Sequence, residues 1–242
     1  MTKEKYELKE DVKPSRISSA YIDAPFDVAK AELEKSGYRI ISLEESANLR
    51  VERRTYGDPD SWVKEGMLYV PNKGVYITKN SPIIKYPEIA TQYHRTGSDY
   101  NLTEEEVKHA LEDSIQIFPY NTSVPTDRFG QDVLALYLFG NNAPEYGQYL
   151  RKNEVDSMPI KVSDIDYKDS KFPFVRQIYF EGPNFMSEVD GNGWGFDNGP
   201  MTLHGVLRYD SDIHGDIENG NENHLQGSDD YIYMSTRGIK EE

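Results

Sequence analysis

The sequence predicts an α+β protein whose mixed, mostly antiparallel sheet carries several helices packed on one side. β-Branched and aromatic runs bounded by Gly, Pro and Asn alternate with segments that have helix-start signals. The clearest hairpin, 66–78, has two such runs around the turn 71–74, whose glycine can adopt a positive φ. We expect a single domain over 1–242; a boundary within 154–173, where charged and proline residues cluster, is the alternative.

Start and stop signals predict the helices. Pro25 opens a first helix, and apolar residues at helical spacing continue from it to Gly37. Ser42 with Glu45, and Thr103 with Glu106, form capping boxes that open two more. The further predicted helical ranges are 88–94, 103–117 and 141–153.

The strands are predicted from short runs rich in β-branched and aromatic residues. The run 133–139 is apolar throughout, so periodicity alone fits either a buried strand or a buried helix. Its brevity and polar flanks favour a strand, which would form a βαβ unit with the next helix and strand. Residues 81–88 are expected to be extended surface chain, and 1–16 a loose or docked arm. The other predicted strands are 38–42, 49–56, 66–70, 75–78, 158–165, 175–180, 202–209 and 231–234.

The composition excludes several kinds of site. The chain has no cysteine, which rules out disulfides, thiolate zinc sites and cysteine nucleophiles. The segment after Met1 is charged rather than apolar, and no run approaches the length of a transmembrane helix. We therefore expect a cytoplasmic protein that does not enter a membrane.

Negative charge is concentrated towards the C-terminus. The formal charge of the chain is −15, and residues 177–236 hold eleven acids against Arg208 alone, which makes −10. Such a surface repels phosphate backbones, so nucleic acid is not expected as a partner. It attracts cations or a basic protein partner, although a solvated face without a partner is the alternative.

The first candidate binding site is the glycine-rich segment 190–200, which lies between two predicted strands. It combines backbone freedom with two aromatic rings and several side-chain oxygens. Rings beside hydrogen-bonding groups suit a small polar ligand such as a sugar, whereas a turn-rich hairpin tip is the simpler interpretation. We select Asn192, Trp194 and Phe196 as candidate ligand-binding residues.

The second candidate site is a set of carboxylates and imidazoles that suits a divalent cation. Asp210, Asp212 and His214 alternate, which places them on one face of an extended strand. A cation held there could activate water for hydrolysis, whereas the same composition also fits a solvated acidic loop. The candidate metal ligands are Asp190, Asp197, His204, Asp210, Asp212 and His214.

The third candidate site is the pair His94 and Arg95. An imidazole beside a fixed cation can bind an anion or take part in acid–base chemistry. Three arginines within 50–54 make only a weak nucleic-acid patch on a predicted strand. His109 follows Glu106 at a spacing used by di-iron sites, but the helical wheel places it opposite the apolar stripe, in solvent.

Three functional hypotheses follow. The leading one is a non-catalytic binding or interaction protein that uses its acidic, aromatic C-terminal third to engage a basic partner or a small polar ligand. The second is a divalent-metal-dependent hydrolase with its site in 190–214. The third is an acidic mimic of nucleic acid, which the charge of 177–236 motivates.

Overall fold

The computed structural model describes residues 6–11, 18–53, 61–90, 100–117, 122–161, 171–181, 202–205 and 235–240. All the strands of this part of the chain belong to one sheet, including those nearest the N-terminus and the C-terminus of the sequence. They are β1 (Lys9–Glu10), β2 (Ser19–Asp23), β3 (Arg39–Ile40), β4 (Ser61–Val70), β5 (Gly74–Thr78), β6 (Ser114–Ile117), β7 (Thr122–Pro125), β8 (Ser157–Lys161), β9 (Phe174–Glu181), β10 (Thr202–Gly205) and β11 (Ser235–Ile239).

The helices that pack on this sheet begin at local sequence signals. Thr103 and Glu106 make the reciprocal bonds of a capping box, and Ser42 and Glu45 do the same. The carboxylate of Asp132 accepts the N–H groups of Leu134 and Ala135. The helices are α1 (Phe26–Lys35), α2 (Leu43–Arg53), α3 (Pro82–Lys85), α4 (Glu104–Glu112), α5 (Val133–Phe139) and α6 (Ala143–Lys152), with 3₁₀ turns at Thr126–Arg128 and Gly140–Asn142.

The expected fold class is confirmed. Pairing is antiparallel throughout the described sheet except between β8 and β10 and between β4 and β11. The hairpin of β4 and β5 has the predicted turn, with Val70 opposite Gly74. The predicted arrangement of strand, loop and strand around 190–200 is also confirmed at its ends, because β9 and β10 are antiparallel neighbours.

The expectation of helices on one side of the sheet is wrong. Alternate residues of β4 enter two separate cores, since side chains of a strand point to opposite faces. Met67 packs into the first core, beneath α2, α5 and α6, whereas Leu68 packs into the second, beneath α1, α3 and α4. Both faces of this strand are therefore buried, which explains the uninterrupted apolar run at 67–70.

The central position of β11 was not predicted. The strand order is β1-β2-β11-β4-β9-β10-β8-β7, with β5 and β6 branching from β4 and β3 pairing with β11. The predicted closing strand, 231–234, lies outside the described residues. The next five residues contain a single large apolar side chain, Ile239, so composition alone does not mark them as a strand.

The predicted strand at 133–139, and with it the βαβ unit, is wrong. The segment is helix α5, which Asp132 caps. Ala135, Leu138 and Phe139 are buried at helical spacing, whereas Val133 is 74% exposed, so the segment is amphipathic despite its apolar composition.

Three further boundaries differ from the predictions. Helix α2 continues to Arg53, so the strand predicted at 49–56 does not form over its described part. Helix α4 ends at Glu112 rather than near 117, because the next residues pair with the outer edge of β5. The predicted surface segment 81–88 contains α3, in which Pro82 and Ile83 are buried.

Helix α6 packs so closely on the turn Thr126–Arg128 that we expect Gly147→Ala to destabilise the protein. A methyl group at Gly147 would overlap the carbonyl oxygen of Thr126 and lie 2.9 Å from Cβ of Phe129. The higher helix propensity of alanine offsets about 1 kcal/mol, whereas overpacking costs about 1–3 kcal/mol. A net loss of about 1 kcal/mol in urea unfolding is expected, against no measurable loss for Gln148→Ala at the exposed neighbouring position. Equal stability of Gly147→Ala and the unaltered protein would show that α6 can move.

Candidate functional site

The predicted site residues are divided between described and undescribed parts of the chain. His204 lies in β10, where the backbone register places it beside Lys161 of β8 and Tyr179 of β9. Within the described ranges, no group of three or more His, Asp or Glu side chains is arranged to hold a metal ion. The other candidate residues lie outside the described residues; they are His94, Arg95, Asp190, Asn192, Trp194, Phe196, Asp197, Asp210, Asp212 and His214.

The two acidic segments, 182–201 and 206–234, are attached to the middle of the sheet. The first starts after Glu181 and ends before Thr202, and these two residues are paired across β9 and β10. The second ends before Ser235, at the start of β11. Thr236 pairs with Trp62 of β4, whose neighbour Ser61 pairs with Phe180 of β9. Four residues flank the two segments, and three of them, Glu181, Thr202 and Ser235, therefore lie at the same end of the sheet. The fourth is Gly205, the last residue of β10.

A buried aromatic cluster supports this end of the sheet. The ring of Phe180 lies 6.1 Å from that of Phe139 and 6.4 Å from that of Tyr146, measured between centroids. The guanidinium of Arg50 stacks 4.2 Å above the same ring and donates to the carbonyl oxygen of Phe180 at 3.2 Å. The end of β9, directly before the first acidic segment, is therefore held by α2, α5 and α6.

Arg50 corrects one sequence interpretation. It was expected on a strand, as part of a weak basic patch for nucleic acid. It lies on α2 and is 5% exposed. Its side chain therefore packs in the core and is not available to contact a phosphate backbone. His109 agrees with its prediction: its side chain is 68% exposed and pairs with Glu112 at 3.1 Å.

A second group at this end of the sheet involves β2 and the N-terminal arm. Asp23, the last residue of β2, accepts a hydrogen bond from the hydroxyl of Ser235. It also forms an ion pair with Lys9, whose Nζ lies 3.3 Å from the Asp23 carboxylate. The hydrogen bond to Asp23 raises the pKa of Lys9. Both side chains of this ion pair are nearly half exposed, so it contributes little to stability.

Glu65 is a buried titratable residue that the sequence analysis did not select as a candidate site residue. It lies in β4 between Lys64 and Gly66 and is only 2% exposed. Its carboxylate accepts the N–H of Leu43, the first residue of α2, at 3.0 Å. Burial raises the pKa of Glu65 to about 7, and Lys64 and Lys79 oppose this shift. Little signal was available in the sequence, because the predicted strand begins at Gly66 and Glu65 lies directly before it, beside Lys64.

The raised pKa of Glu65 predicts a pH-dependent stability. Between pH 4.5 and about 7 the folded protein binds more protons at this carboxyl than the unfolded chain does. The free energy of unfolding therefore falls as the pH rises through this window, by about 3 kcal/mol relative to Glu65→Gln. Urea unfolding of both proteins at half-unit steps from pH 5 to 8 measures the difference. The exposed position Glu104→Gln is the control, and a wild-type curve parallel to that of Glu65→Gln would contradict the prediction.

Access decides how Glu65 can act. A buried carboxyl with a pKa near neutrality is typical of catalytic acids and bases. A catalytic group must also reach its substrate within about 3 Å, directly or through one water. At 2% exposure, beneath α2, Glu65 does not meet this requirement.

Comparisons of the whole chain with protein-family models, with curated proteins and with solved structures give no match. Among the described residues, no helix combines the length and the apolar character that crossing a bilayer requires. The basis for a functional proposal is therefore the fold, the described contacts and the distribution of charge.

Proposed function

We propose that this protein is a non-catalytic binding protein that engages a basic protein partner through the acidic segments 182–201 and 206–234. The first segment holds three acids and no base, and the second holds seven acids and Arg208. The observation that supports the proposal best is their attachment to three interior strands of the sheet, the neighbours β9 and β10 and the strand β11 on the other side of β4. Binding groups are commonly found on connections that a rigid sheet positions.

The length of the segments also supports a functional role. Connections between secondary-structure elements are usually about 4–6 residues, and ones longer than about 12–15 residues are commonly functional or disordered. Glu181 and Thr202 are paired across β9 and β10, and twenty residues of sequence lie between them. The inserted residues include Trp194 and Phe196, and aromatic residues are enriched in binding surfaces.

The proposal is tested with a fluorescein-labelled peptide of alternating lysine and glycine, by fluorescence anisotropy with the full chain. The variant Asp210→Asn, Asp212→Asn, Asp216→Asn and Glu218→Gln removes four charges from the second segment. A matched control removes four charges from exposed helix positions, as Glu34→Gln, Glu104→Gln, Glu105→Gln and Glu112→Gln. We expect binding to weaken at least tenfold in the variant and less than twofold in the control. Equal weakening in both would show attraction to the net charge alone, and no binding to the unaltered protein would overturn the proposal.

Thermal unfolding separates this proposal from a divalent-metal-dependent hydrolase. A cation at a hundred times its dissociation constant stabilises the folded state by about 2.7 kcal/mol. In a chain of this size the midpoint should then rise by roughly 5–10 °C. The binding proposal predicts no rise specific to Ca²⁺, Mg²⁺, Mn²⁺ or Zn²⁺ relative to EDTA. A rise with one ion that Asp210→Asn or Asp197→Asn abolishes would favour the hydrolase instead.

A further inference from the structure

We propose that Glu65 is a proton-sensitive contact that controls how firmly the start of α2 is held to the sheet. This inference concerns the described core, and it does not depend on the proposed binding function. It rests on an irregularity in β4, on the burial of the Glu65 side chain, and on the hydrogen bond from Leu43.

The irregularity in β4 includes Glu65 and lies where β4 and β11 stop pairing with each other. Trp62 pairs with Tyr179 of β9, but the next pair is Gly66 with Gln177, so 63–65 stand opposite Ile178 alone. At this bulge β4 separates from β11, and β3 lies between them, pairing with Gly238 and Ile239 of β11. The backbone N–H of Lys64 donates to the carbonyl oxygen of Ile41 at 2.9 Å. Bulges re-aim side chains, and this one turns Glu65 towards the residues that follow β3.

Glu65 then acts as a long-range cap of α2. Its carboxylate accepts the backbone N–H of Leu43, twenty-two residues earlier in the chain. The first N–H groups of a helix have no partner within the helix, and a negative charge beside them is favourable. A charge-assisted hydrogen bond of this kind is stronger than a neutral one. The ionised form of Glu65 therefore makes the stronger hydrogen bond to Leu43, whereas its burial makes the folded state as a whole less stable than with the protonated form.

The surroundings of Glu65 have opposing effects on its pKa. Lys64 on the same strand and Lys79 after β5 favour the ionised carboxylate, whereas burial favours the protonated acid. The phenol of Tyr137 on α5 also lies within electrostatic range. The first turn of α2 carries two further acids: Glu45, which Arg39 and Ser42 bind, and Glu44, whose carboxylate lies against the backbone of Gly140.

A change at Glu65 can reach the end of β9 through α2. The helix begins at Leu43, which Glu65 binds, and carries Arg50, which binds the carbonyl oxygen of Phe180. Protonation removes the charge from the first contact without removing the side chain. Since burial raises the pKa of Glu65 to about 7, both forms are populated close to neutral pH. A modest change in pH near neutrality therefore changes the strength of the hydrogen bond between Glu65 and the first residue of α2.

Two-dimensional ¹H–¹⁵N NMR of the full chain from pH 5.5 to 8.5 tests this inference. We expect the amide signals of Leu43 and of the following α2 residues to shift with a common midpoint near pH 7. Glu65→Gln should abolish this shift, and Glu44→Gln, which makes the same change one residue beyond Leu43, should leave it unchanged. Shifts that persist in Glu65→Gln would overturn the inference.

A second measurement uses only the unaltered protein, in case Glu65→Gln does not fold. The ¹³C shift of the Glu65 carboxyl carbon reports directly on its protonation. A midpoint near pH 7, shared with the amide of Leu43, is the expected result. A midpoint near the ordinary glutamate value, or a Leu43 amide that does not follow the carboxyl, would overturn the inference.

Discussion

Replacement of Phe180 by alanine is expected to lower the free energy of unfolding by about 4 kcal/mol. The side chain is completely buried, and its ring contacts those of Phe139 and Tyr146. Truncation of a buried phenylalanine removes apolar burial and leaves a cavity, which together cost about 3–5 kcal/mol. The same change removes the ring on which the guanidinium of Arg50 stacks, so a buried cation loses a favourable contact.

Urea unfolding at pH 7 measures this loss, and Phe172→Ala is the matched control. Phe172 is 56% exposed, so its truncation should cost less than about 1 kcal/mol. A loss below about 1.5 kcal/mol for Phe180→Ala would mean that the cluster refills the cavity. In that event the end of β9 would not be the rigid support that we describe.

Asp11→Ala is expected to have the second large effect, a loss of about 3–4 kcal/mol. Asp11 forms an ion pair with Arg237 of β11, and the hydroxyl of Ser19 donates to the same carboxylate. Arg237 is 2% exposed on the central strand, where its guanidinium also lies 5.4 Å from the ring centroid of Tyr21. Removal of one partner from a buried pair leaves an uncompensated charge, which costs about 3–5 kcal/mol.

The control for Asp11→Ala is Lys9→Ala, only two residues away. Lys9 pairs with Asp23 at a similar position in the arm, but both side chains are nearly half exposed. An exposed pair contributes about 0–1 kcal/mol. Unfolding in urea should therefore separate the two variants by at least about 2 kcal/mol. Equal losses would show that the arm is held by its backbone pairing with β2 rather than by the buried charge.

The elements that sequence analysis predicted correctly depend on near neighbours in the chain. A capping box needs only residues three apart, so the starts of α2 and α4 could be located. The hairpin of β4 and β5 needs only a short turn between two apolar runs. The start of α6 was found in the same way, because Pro144 lies in its first turn.

The elements that were predicted wrongly depend on contacts between distant residues. The apolar sequence 133–139 fits a strand and a helix equally well, and burial of α5 against the first core decides for the helix. Residues 114–117 have helical periodicity, but pairing with β5 satisfies that strand's second edge, and the helix ends before them. For 49–53, the buried contact of Arg50 with Phe180 favours continuation of α2.

The candidate site was only partly accessible to sequence reasoning. The concentration of acids in 177–236 and the rings at 194 and 196 are properties of composition and need no structure. Their attachment to the middle of the sheet depends on long-range pairing, such as that of Ser61 with Phe180. Glu65 was missed because the strand was predicted over 66–70, which leaves this acid outside it, and only the bulge and α2 bury it.

The sequence by itself determined where helices begin, where the chain turns, and where negative charge accumulates. These properties arise from interactions within a few residues or from composition. Only the tertiary structure decided that β11 is central, that Arg237 meets Asp11, and that Glu65 caps a helix formed earlier in the chain. The physical reason is that strand pairing and the burial of charge depend on which distant segments meet, and no local pattern encodes that choice.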